Sequence, residues 1–363
     1  MNIAAIGIGG AGGRVVDLLA AEHGTGDHSS LAAVHAIDTD TESLQRLDAV
    51  PQAARHGIGQ FETGGDGTDG DRTLAGEIIE AEKTELRRAV EDGIATTVDA
   101  IVLVAGLAGG TGGAATPPLA AGLRRVYEQP VYTVSILPAS TATDETSEET
   151  GRVNTAHALS GLEEHATAQI VFDNDVWLRE GQRIESQRES LNRELVERFG
   201  ELLQLGEKTG GDVGERVVDS RDVQGTLDGG GIVTLGYASR EISEWRESSF
   251  AVADRLKRRL FGDDTDEFER GNAVQRTLNW ATSGTLTFEC PRDAGTHALV
   301  VFRGPPEWLR GDAIASGREW FTDRTGVAEL RSGDIPVSNA RSLDVFIVLA
   351  GIENTPRIDE FRE

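Results

Sequence analysis

Short apolar runs alternate with amphipathic stretches along the first half of the chain. Two of the amphipathic stretches have helical spacing, EIIEAEKTELRRAVE (77–91) and TPPLAAGLRRVYE (116–128), and Pro117 is placed near a first turn, where proline is tolerated. Strands that alternate with helices predict an α/β fold on a parallel sheet. The runs that predict buried strands are NIAAIGI (2–8), LAAVHAID (31–38), DAIVLVAG (99–106), VYTVSILP (131–138) and AQIVFDND (168–175).

The pattern changes in the second half. Residues 177–205 are predicted to form one long amphipathic helix, because Ile184, Leu191, Leu195, Phe199 and Leu202 follow helical spacing. Beyond it we predict a smaller α+β domain, with boundaries at 1–176, 177–222 and 223–363 for the α/β domain, the central helix with its loop, and the α+β domain. Its predicted strands are GGIVTLGYA (230–238), TLTFEC (285–290), HALVVF (297–302), GVAEL (326–330) and SLDVFIVLAG (342–351).

The charge of the chain narrows the possible environments and partners. There are 61 acidic and 35 basic residues, a net charge of −26, and only three of the basic residues are lysines. Acidic residues spread over the whole chain repel one another at low salt and are screened at molar salt, so we expect a cytoplasm with a high salt concentration. Nucleic-acid binding is disfavoured because it needs a basic surface. A single cysteine and the lack of a long apolar segment fit a reducing compartment without membrane insertion.

Two glycine clusters directly follow predicted strands. The first, Gly7-x-Gly9-x-x-Gly12, opens a helix, whose N-terminal N–H groups favour an anion. It is compatible with a nicotinamide-dependent oxidoreductase, in which Asp38 would bind a ribose, or with a structural turn. The second, AGLAGGTGGAATPP (105–118), offers more N–H groups and the hydroxyl of Thr111. Two such turns on neighbouring strands suit a triphosphate, with a flexible hinge loop as the alternative for the second.

With these motifs the chain resembles the tubulin/FtsZ superfamily of GTP-dependent filament proteins, and within it the archaeal CetZ group. The resemblance covers nearly the whole chain, and its motifs occur in the order that the family shows. The nucleotide-loop motifs are IGIGGAGGR (6–14), AIDTD (36–40), GGDGTDGD (64–71), AGLAGGTGGA (105–114) and FDND (172–175). The motifs typical of CetZ are GPPEWL (304–309), GREWFTDRTGVAELRSGDIPV (317–337) and TPRIDEF (355–361).

The resemblance implies GTP or GDP as the ligand, accompanied by Mg²⁺, and it implies the residues that bind the nucleotide. The predicted phosphate and sugar contacts are Gly9, Gly10, Ala11, Gly12, Arg14, Asp38, Asp40, Gly65, Gly67, Ala108, Gly109, Gly110, Thr111, Gly112, Gly113, Glu148 and Arg152. Asn174 and Asn192 match the two asparagines that read guanine, since an amide both donates and accepts hydrogen bonds. Arg188 replaces an aromatic residue and would stack on the base or face solvent.

The catalytic residues are expected at a distance from these loops. Asp219 and Asp222 in RVVDSRDVQGTL (216–227) lie on one helical face, and the segment resembles the family's synergy loop, whose acids reach the γ-phosphate of GTP on the next subunit. Val217 and Arg221 depart from the FtsZ pattern, which puts the hydrolysis rate in doubt. The alternative interpretation is an acidic helix start stabilised by the helix dipole.

The function implied is a GTP-hydrolysing cytoskeletal protein that assembles head to tail and controls cell shape. The partner expected is another copy of the chain. A GTP-binding regulator with weak or no polymerisation is the alternative within the family. In the third loop, Asp66, Asp69 and Asp71 are predicted to point away from the phosphates, because carboxylates repel them. The alternative is that they share Mg²⁺ or another cation with the phosphates.

Overall fold

A single ten-stranded sheet runs through the molecule. The computed structural model describes residues 1–26, 29–91, 98–140, 145–205, 217–242, 264–353 and 355–362. The strand order is β3-β2-β1-β4-β5-β6-β7-β10-β8-β9. The strands are β1 (Ile3–Ile8), β2 (Leu31–Asp38), β3 (Arg55–Gly57), β4 (Ala100–Gly106), β5 (Val131–Leu137), β6 (Ala168–Asp173), β7 (Ile232–Glu241), β8 (His297–Gly304), β9 (Glu329–Pro336) and β10 (Ser342–Ile352).

The helices cover both faces of this sheet. They are α1 (Gly9–His23), α2 (Thr41–Gln45), α3 (Gln60–Thr63), α4 (Arg72–Glu91), α5 (Gly110–Val126), α6 (Glu145–His165), α7 (Asn174–Trp177), α8 (Ile184–Gln204), α9 (Ser220–Leu227), α10 (Asp264–Ser283), α11 (Gly311–Thr325) and α12 (Pro356–Arg362), with a 3-10 turn at Gln52–Ala54. Successive residues of a strand point to opposite faces, so Ile101 and Leu103 join one buried cluster while Val102 and Val104 join the other.

The first six strands are parallel, and the second half continues the same sheet. The parallel arrangement was predicted, whereas the short strand β3 was not. Strand β7 pairs in parallel with β6 through Gln169–Ile232, and β10 runs antiparallel to both β7 and β8. Helix α8 packs across the junction, because Leu195 and Phe199 belong to the same cluster as Val233 of β7. The fold is therefore the predicted mixed architecture, with all of its parallel strands in the first half ending at one edge.

Three predicted elements differ from the structure. The long helix begins at Ile184 rather than at 177, because Gly181 adopts φ +81° and Arg179 and Gln182 close a turn there. Residues 285–290 form no regular strand: Leu286 makes only an isolated bridge to Gly236, and the hydroxyl of Thr234 accepts a hydrogen bond from the Phe288 N–H at 3.0 Å. Strand β9 begins only at Glu329.

Pro117 lies inside helix α5 rather than near its start. The helix begins at Gly110 because the glycines themselves adopt helical geometry and pack closely. A Cβ on Gly112 would lie 2.4 Å from the Gly106 carbonyl oxygen, so only glycine fits there. The glycine cluster is therefore the first turn of α5 and is not a flexible hinge.

Candidate nucleotide site

A cleft of about 720 Å³ lies at the carboxyl edge of the parallel strands. Its lining includes the last residues of four strands, Ile8, Asp38, Gly106 and Leu137, together with loops and helix ends that follow them. The volume falls within the range of small-molecule sites. Of the predicted nucleotide contacts, the cleft is lined by Gly9, Gly10, Ala11, Arg14, Asp38, Asp40, Gly67, Ala108, Gly109, Gly110, Thr111, Gly112, Glu148, Arg152 and Asn174.

Two helix N-termini meet in this cleft without a side-chain cap. Helix α1 starts at Gly9, which adopts φ +68°, and neither its N-cap Ile8 nor the α5 N-cap Gly109 makes a side-chain cap bond. A Cβ on Gly9 would lie 3.1 Å from the Gly112 nitrogen, so the two turns touch through their backbones. Uncapped N–H groups and two positive dipole ends favour a multiply charged anion here.

Side chains fasten the surrounding loops to these turns. The hydroxyls of Thr39 and Thr111 lie 2.7 Å apart, which joins the loop after β2 to the start of α5. The buried amide of Asn154 donates to the carbonyls of Gly70 and Ala108 at 2.9 and 3.0 Å, so it holds the third loop beside the second glycine turn. These bonds therefore fix the positions of the loops that border the cleft.

Arg14 places a guanidinium group in the cleft, and one of its hydrogen-bond donors lacks a partner in the part of the chain that the structure describes. Its Nε is buried and finds no hydrogen-bond partner among the described residues. Burial lowers the pKa of this guanidinium and nearby Arg188 lowers it further, while Asp38 opposes both. An orphaned buried donor beside two uncapped helix ends fits an anionic ligand better than an empty site.

Asp38 ends β2 and is almost fully buried, with 4% of its surface exposed. Burial raises its pKa to about 6, against the effect of the Asp40 and Thr39 backbone N–H groups. At neutral pH the Asp38 carboxylate is therefore ionised although it is buried, and this lowers the free energy of unfolding.

The substitution Asp38→Asn is therefore expected to stabilise the ligand-free protein at pH 7.5 and not at pH 4. As pH rises from 3.8 to about 6, the folded protein keeps a proton that the unfolded chain has lost, so stability falls through this window. The difference corresponds to about 3 kcal/mol at pH 7.5. Urea unfolding of both proteins at both pH values measures it, and an equal difference at the two pH values would contradict the assignment.

The third loop borders the cleft. Asp66 and Asp69 are exposed and both lie in its lining. Asp69 adopts φ +46°, a left-handed conformation that Asp tolerates. Asp71 lies outside the lining, where it accepts hydrogen bonds from the N–H groups of Thr73 and Leu74 and so caps helix α4. For Asp66 and Asp69, the two possibilities of an outward orientation and a shared cation stay predictions.

Several predicted contacts lie beside the cleft without lining it. A Cβ on Gly12 would lie 2.0 Å from the Val104 carbonyl oxygen, and one on Gly113 would lie 2.5 Å from the Leu107 oxygen, so both glycines serve close packing. Gly65 is buried against Thr41. Arg188 is exposed and Asn192 half-buried on α8, and their contacts with the base stay predictions.

The end of the cleft next to Asn174, which we call the base end because Asn174 is predicted to contact the base, contains a residue that the sequence analysis did not assign. Arg357 on α12 lines the cleft and contacts both carboxylates that flank Asn174, with Nε 3.1 Å from Asp173 and Nη2 2.7 Å from Asp175. It also pairs with Glu360 at 2.9 Å. Burial lowers the Arg357 pKa, but Asp173, Glu360 and Asp175 outweigh burial and raise it. The signal in the sequence was the TPRIDEF motif, which did not reveal this contact.

Asn174 itself is fixed by the strand next to it. Its Nδ2 donates to the Leu137 carbonyl at 2.7 Å, and the residue is buried at the start of α7. The Asp173 side chain caps the same short helix by accepting from the Asp175 N–H. Asn174, which is predicted to contact the base, is therefore held on one side by β5. On the other side it adjoins the Asp173 cap, which forms an ion pair with Arg357.

Asp219 and Asp222 begin helix α9 at the opposite end of the sheet. Gln224 of α9 donates to the carbonyl of Asp99 at 2.8 Å, and Asp99 immediately precedes β4. The cleft lies beyond the other end of β4, whose seven residues span roughly 20 Å. The two carboxylates cannot reach the cleft of their own chain.

The two carboxylates also form a capping box. Asp219 Oδ1 accepts from the N–H groups of Arg221 and Asp222, at 2.8 and 3.1 Å, and Asp222 Oδ2 accepts from the Asp219 N–H at 3.1 Å. The structural role considered in the sequence analysis is thus present. The second oxygen of each accepts no hydrogen bond among the described residues, and Asp219 is exposed.

Comparison with known proteins identifies the family. The model of the tubulin/FtsZ family GTPase domain matches residues 2–182, and the model of the tubulin-like CetZ C-terminal domain matches residues 181–363. The chain belongs to the tubulin/FtsZ family and to its CetZ group. The resemblance predicted from the motifs is confirmed. The tubulin-like protein CetZ5 of Haloferax volcanii is 38% identical over 366 residues, which cover 100% of this chain and 91% of that protein.

Two solved structures of this group superimpose on the whole chain. The GDP-bound monomer of CetZ1 from Haloferax volcanii has a TM-score of 0.81 at 32% identity, covering 100% of this chain and 98% of that one. The GTPγS-bound protofilament of CetZ2 from the same organism has a TM-score of 0.81 at 29% identity, covering 99% and 96%. The predicted fold is therefore confirmed.

Proposed function

We propose that this chain binds GTP in the cleft, assembles head to tail into filaments and hydrolyses GTP where two subunits meet. The proposal rests on one observation: the glycine turns and Asp219 lie at opposite ends of strand β4. A site divided in this way is completed only when the Asp219 end of one subunit docks on the cleft of another. Such a heterologous contact generates an open filament.

The two most exposed large apolar side chains in the described part of the chain support this contact. Phe61 on α3 is fully exposed at the cleft end, where Thr63 of the same helix approaches the Thr39 carbonyl. Val217 is 68% exposed and lies two residues before Asp219. Apolar residues on opposite ends of one chain are what a head-to-tail interface requires. Val217 also stands where the FtsZ pattern has an asparagine, so this departure adds apolar surface at that end.

The cleft fits the triphosphate by its donors. The N–H groups of the first turns of α1 and α5 and the guanidinium of Arg14 would bind phosphate oxygens, and Asn174 would bind the guanine edge. Mg²⁺ would supply further positive charge beside the phosphates, and Asp66 and Asp69 would hold it there. Among the described residues no group of three or more His, Cys, Asp or Glu side chains forms a metal site, so the phosphates would have to complete its ligands.

Asp219 and Asp222 would act on the γ-phosphate of the neighbouring subunit. Each carboxylate has one oxygen in the capping box, which fixes its direction, and a second oxygen for a water molecule. A carboxylate so placed orients the water and accepts its proton in the transition state. In this proposal the same two carboxylates cap helix α9 and act in catalysis, so the structural and catalytic roles are compatible.

Sedimentation in molar KCl tests the assembly. We expect a pellet with GTP or a slowly hydrolysed analogue and little pellet with GDP, and we expect turnover per subunit to rise with protein concentration. Absence of a pellet, with turnover independent of concentration, would contradict filament formation and favour a GTP-binding regulator.

In the cell, we propose a cytoskeletal role in shape control, in the cytoplasm. Among the described residues no helix is long and apolar enough to cross a membrane.

Arg357→Gln tests the base end of the cleft. The variant leaves Asp173, whose side chain is 5% exposed, without its counter-charge, and it weakens the cap of the helix that begins with Asn174. We expect GTP affinity to fall about tenfold, which corresponds to about 1.4 kcal/mol. Arg362→Gln is the matched control, because Arg362 lies on the same helix and pairs with Glu163 at the surface. Titration with GTP measures both, and equal affinities would exclude the positioning role.

A further inference from the structure

A second cavity lies between α4 and α5, behind the phosphate turns. Its volume is about 480 Å³, within the range of small-molecule sites. Ile8 is the only described residue that borders both this cavity and the nucleotide cleft, so the two are separate spaces divided by the end of β1. None of the predicted nucleotide contacts lines it.

The inner wall of this cavity is aliphatic and buried. Ile8, Ile37, Ile79, Leu86 and Ala115 line it, and each is at most 5% exposed. A wall of this kind offers water no hydrogen-bond partners, whereas apolar groups bind to it readily. The wall therefore selects an aliphatic or aromatic body.

The outer rim is cationic. Lys83, Arg87 and Arg125 lie on it with His165, and Glu80, which pairs with Lys83, is the acidic residue among the described lining. Lys83 and Arg125 together with Glu80 give a formal charge of +1 on a chain whose net charge is −26. One of only three lysines in the chain therefore lies here. The rim favours an anionic group at the mouth of the cavity.

Gly122 leaves space in the wall. It lies inside helix α5, lines the cavity, and a Cβ added to it meets no atom within 4 Å. A glycine in a helix interior costs about 1 kcal/mol relative to alanine. The helix is thus less stable than it would be with a side chain that projects into the open volume.

From these features we propose that the cavity binds a small amphipathic anion, with an aliphatic body against the α4–α5 wall and an acidic group at Lys83 and Arg125. This site does not depend on nucleotide hydrolysis or on assembly. A medium-chain carboxylate has the required chemistry, so decanoate below its micelle concentration is the probe.

Calorimetric titration of the folded full chain with decanoate tests the proposal, in the presence of excess GTP. We expect saturable binding of one decanoate per chain, with 1-decanol binding at least tenfold more weakly. Gly122→Leu should fill the cavity and weaken decanoate binding at least tenfold, and Lys83→Gln with Arg125→Gln should weaken it about tenfold. Gly271→Leu is the control, because Gly271 also has nothing within 4 Å but lies on α10.

Gly122→Ala keeps the experiment decisive if the leucine variant does not fold. Alanine favours the helix, so the melting temperature of the Gly122→Ala variant should be at least that of the unmodified chain. Its methyl group occupies part of the cavity, so decanoate affinity should fall several-fold. The proposal is overturned by absence of saturable binding, by equal affinity of folded Gly122→Leu, by equal binding of decanol, or by displacement of decanoate by GTP.

Discussion

Asp219→Asn is expected to lower GTP turnover by about 10² to 10⁴-fold, the range lost when a general base is removed, without changing GTP affinity. Affinity is unaffected because Asp219 lies at the amino ends of the strands, away from the cleft of its own chain. Steady-state turnover and equilibrium titration of GTP measure the two quantities separately. A variant that still hydrolyses GTP at the original rate would show that Asp219 has only its structural role.

The choice of asparagine separates catalysis from folding. The Asp219 carboxylate caps α9, and alanine at this position would also remove about 1 kcal/mol of helix stability. Asparagine is as good an N-cap residue as aspartate, so the helix start is kept and only the charge is lost. Asp228→Asn, at the C-cap of the same helix, is the matched control and should leave turnover within about twofold, since a surface substitution outside the site has little effect.

Phe61→Ser is expected to raise the protein concentration needed for GTP-dependent filaments by about tenfold or more. A fully exposed phenylalanine that becomes buried at an interface contributes about 1.5–3 kcal/mol, which is roughly a factor of 10 to 150 in the association constant. Sedimentation at increasing protein concentration measures the threshold. GTP affinity and melting temperature should not change, because the side chain is outside the core.

Phe61→Leu distinguishes apolar contact from other effects. It keeps most of the apolar surface and should assemble at nearly the original concentration. If Phe61→Ser assembles as readily as the unmodified chain, this residue is not at the contact between subunits. If both variants lose GTP binding, the loop of α3 acts on the cleft and the interface assignment is wrong.

Local patterns in the sequence were enough to predict most of the strands and the glycine turns. Five of the six strands of the first half are predictable apolar runs, and four of these, β1, β2, β4 and β5, end in the cleft because parallel strands share an edge. The glycine turns were predictable because close backbone packing, as at Gly112, tolerates no side chain. Family resemblance then gave the nature of the ligand.

The remaining features depend on contacts that no local pattern contains. Arg357 pairs with Asp173 across 184 positions of sequence, so only the folded chain shows that α12 lies at the base end of the cleft. The irregular segment near Phe288 is apolar and alternating, but the hydroxyl of Thr234 competes for its backbone N–H. The capping box gives Asp219 and Asp222 a structural role, which spacing alone could not distinguish from the catalytic role that we propose for them.

Mixing two inactive variants tests the central claim, that one subunit supplies Asp219 to the nucleotide of the next. Asp219→Asn keeps the cleft, whereas Gly110→Val disrupts it, because a Cβ at Gly110 would lie 2.3 Å from the Thr68 hydroxyl in the third loop. Each alone should be nearly inactive. At equal amounts, about a quarter of randomly formed head-to-tail contacts join an intact cleft to an intact Asp219, so turnover should recover to about a quarter of the original. Turnover no higher than the sum of the two variants, while they sediment together, would contradict a site shared between subunits.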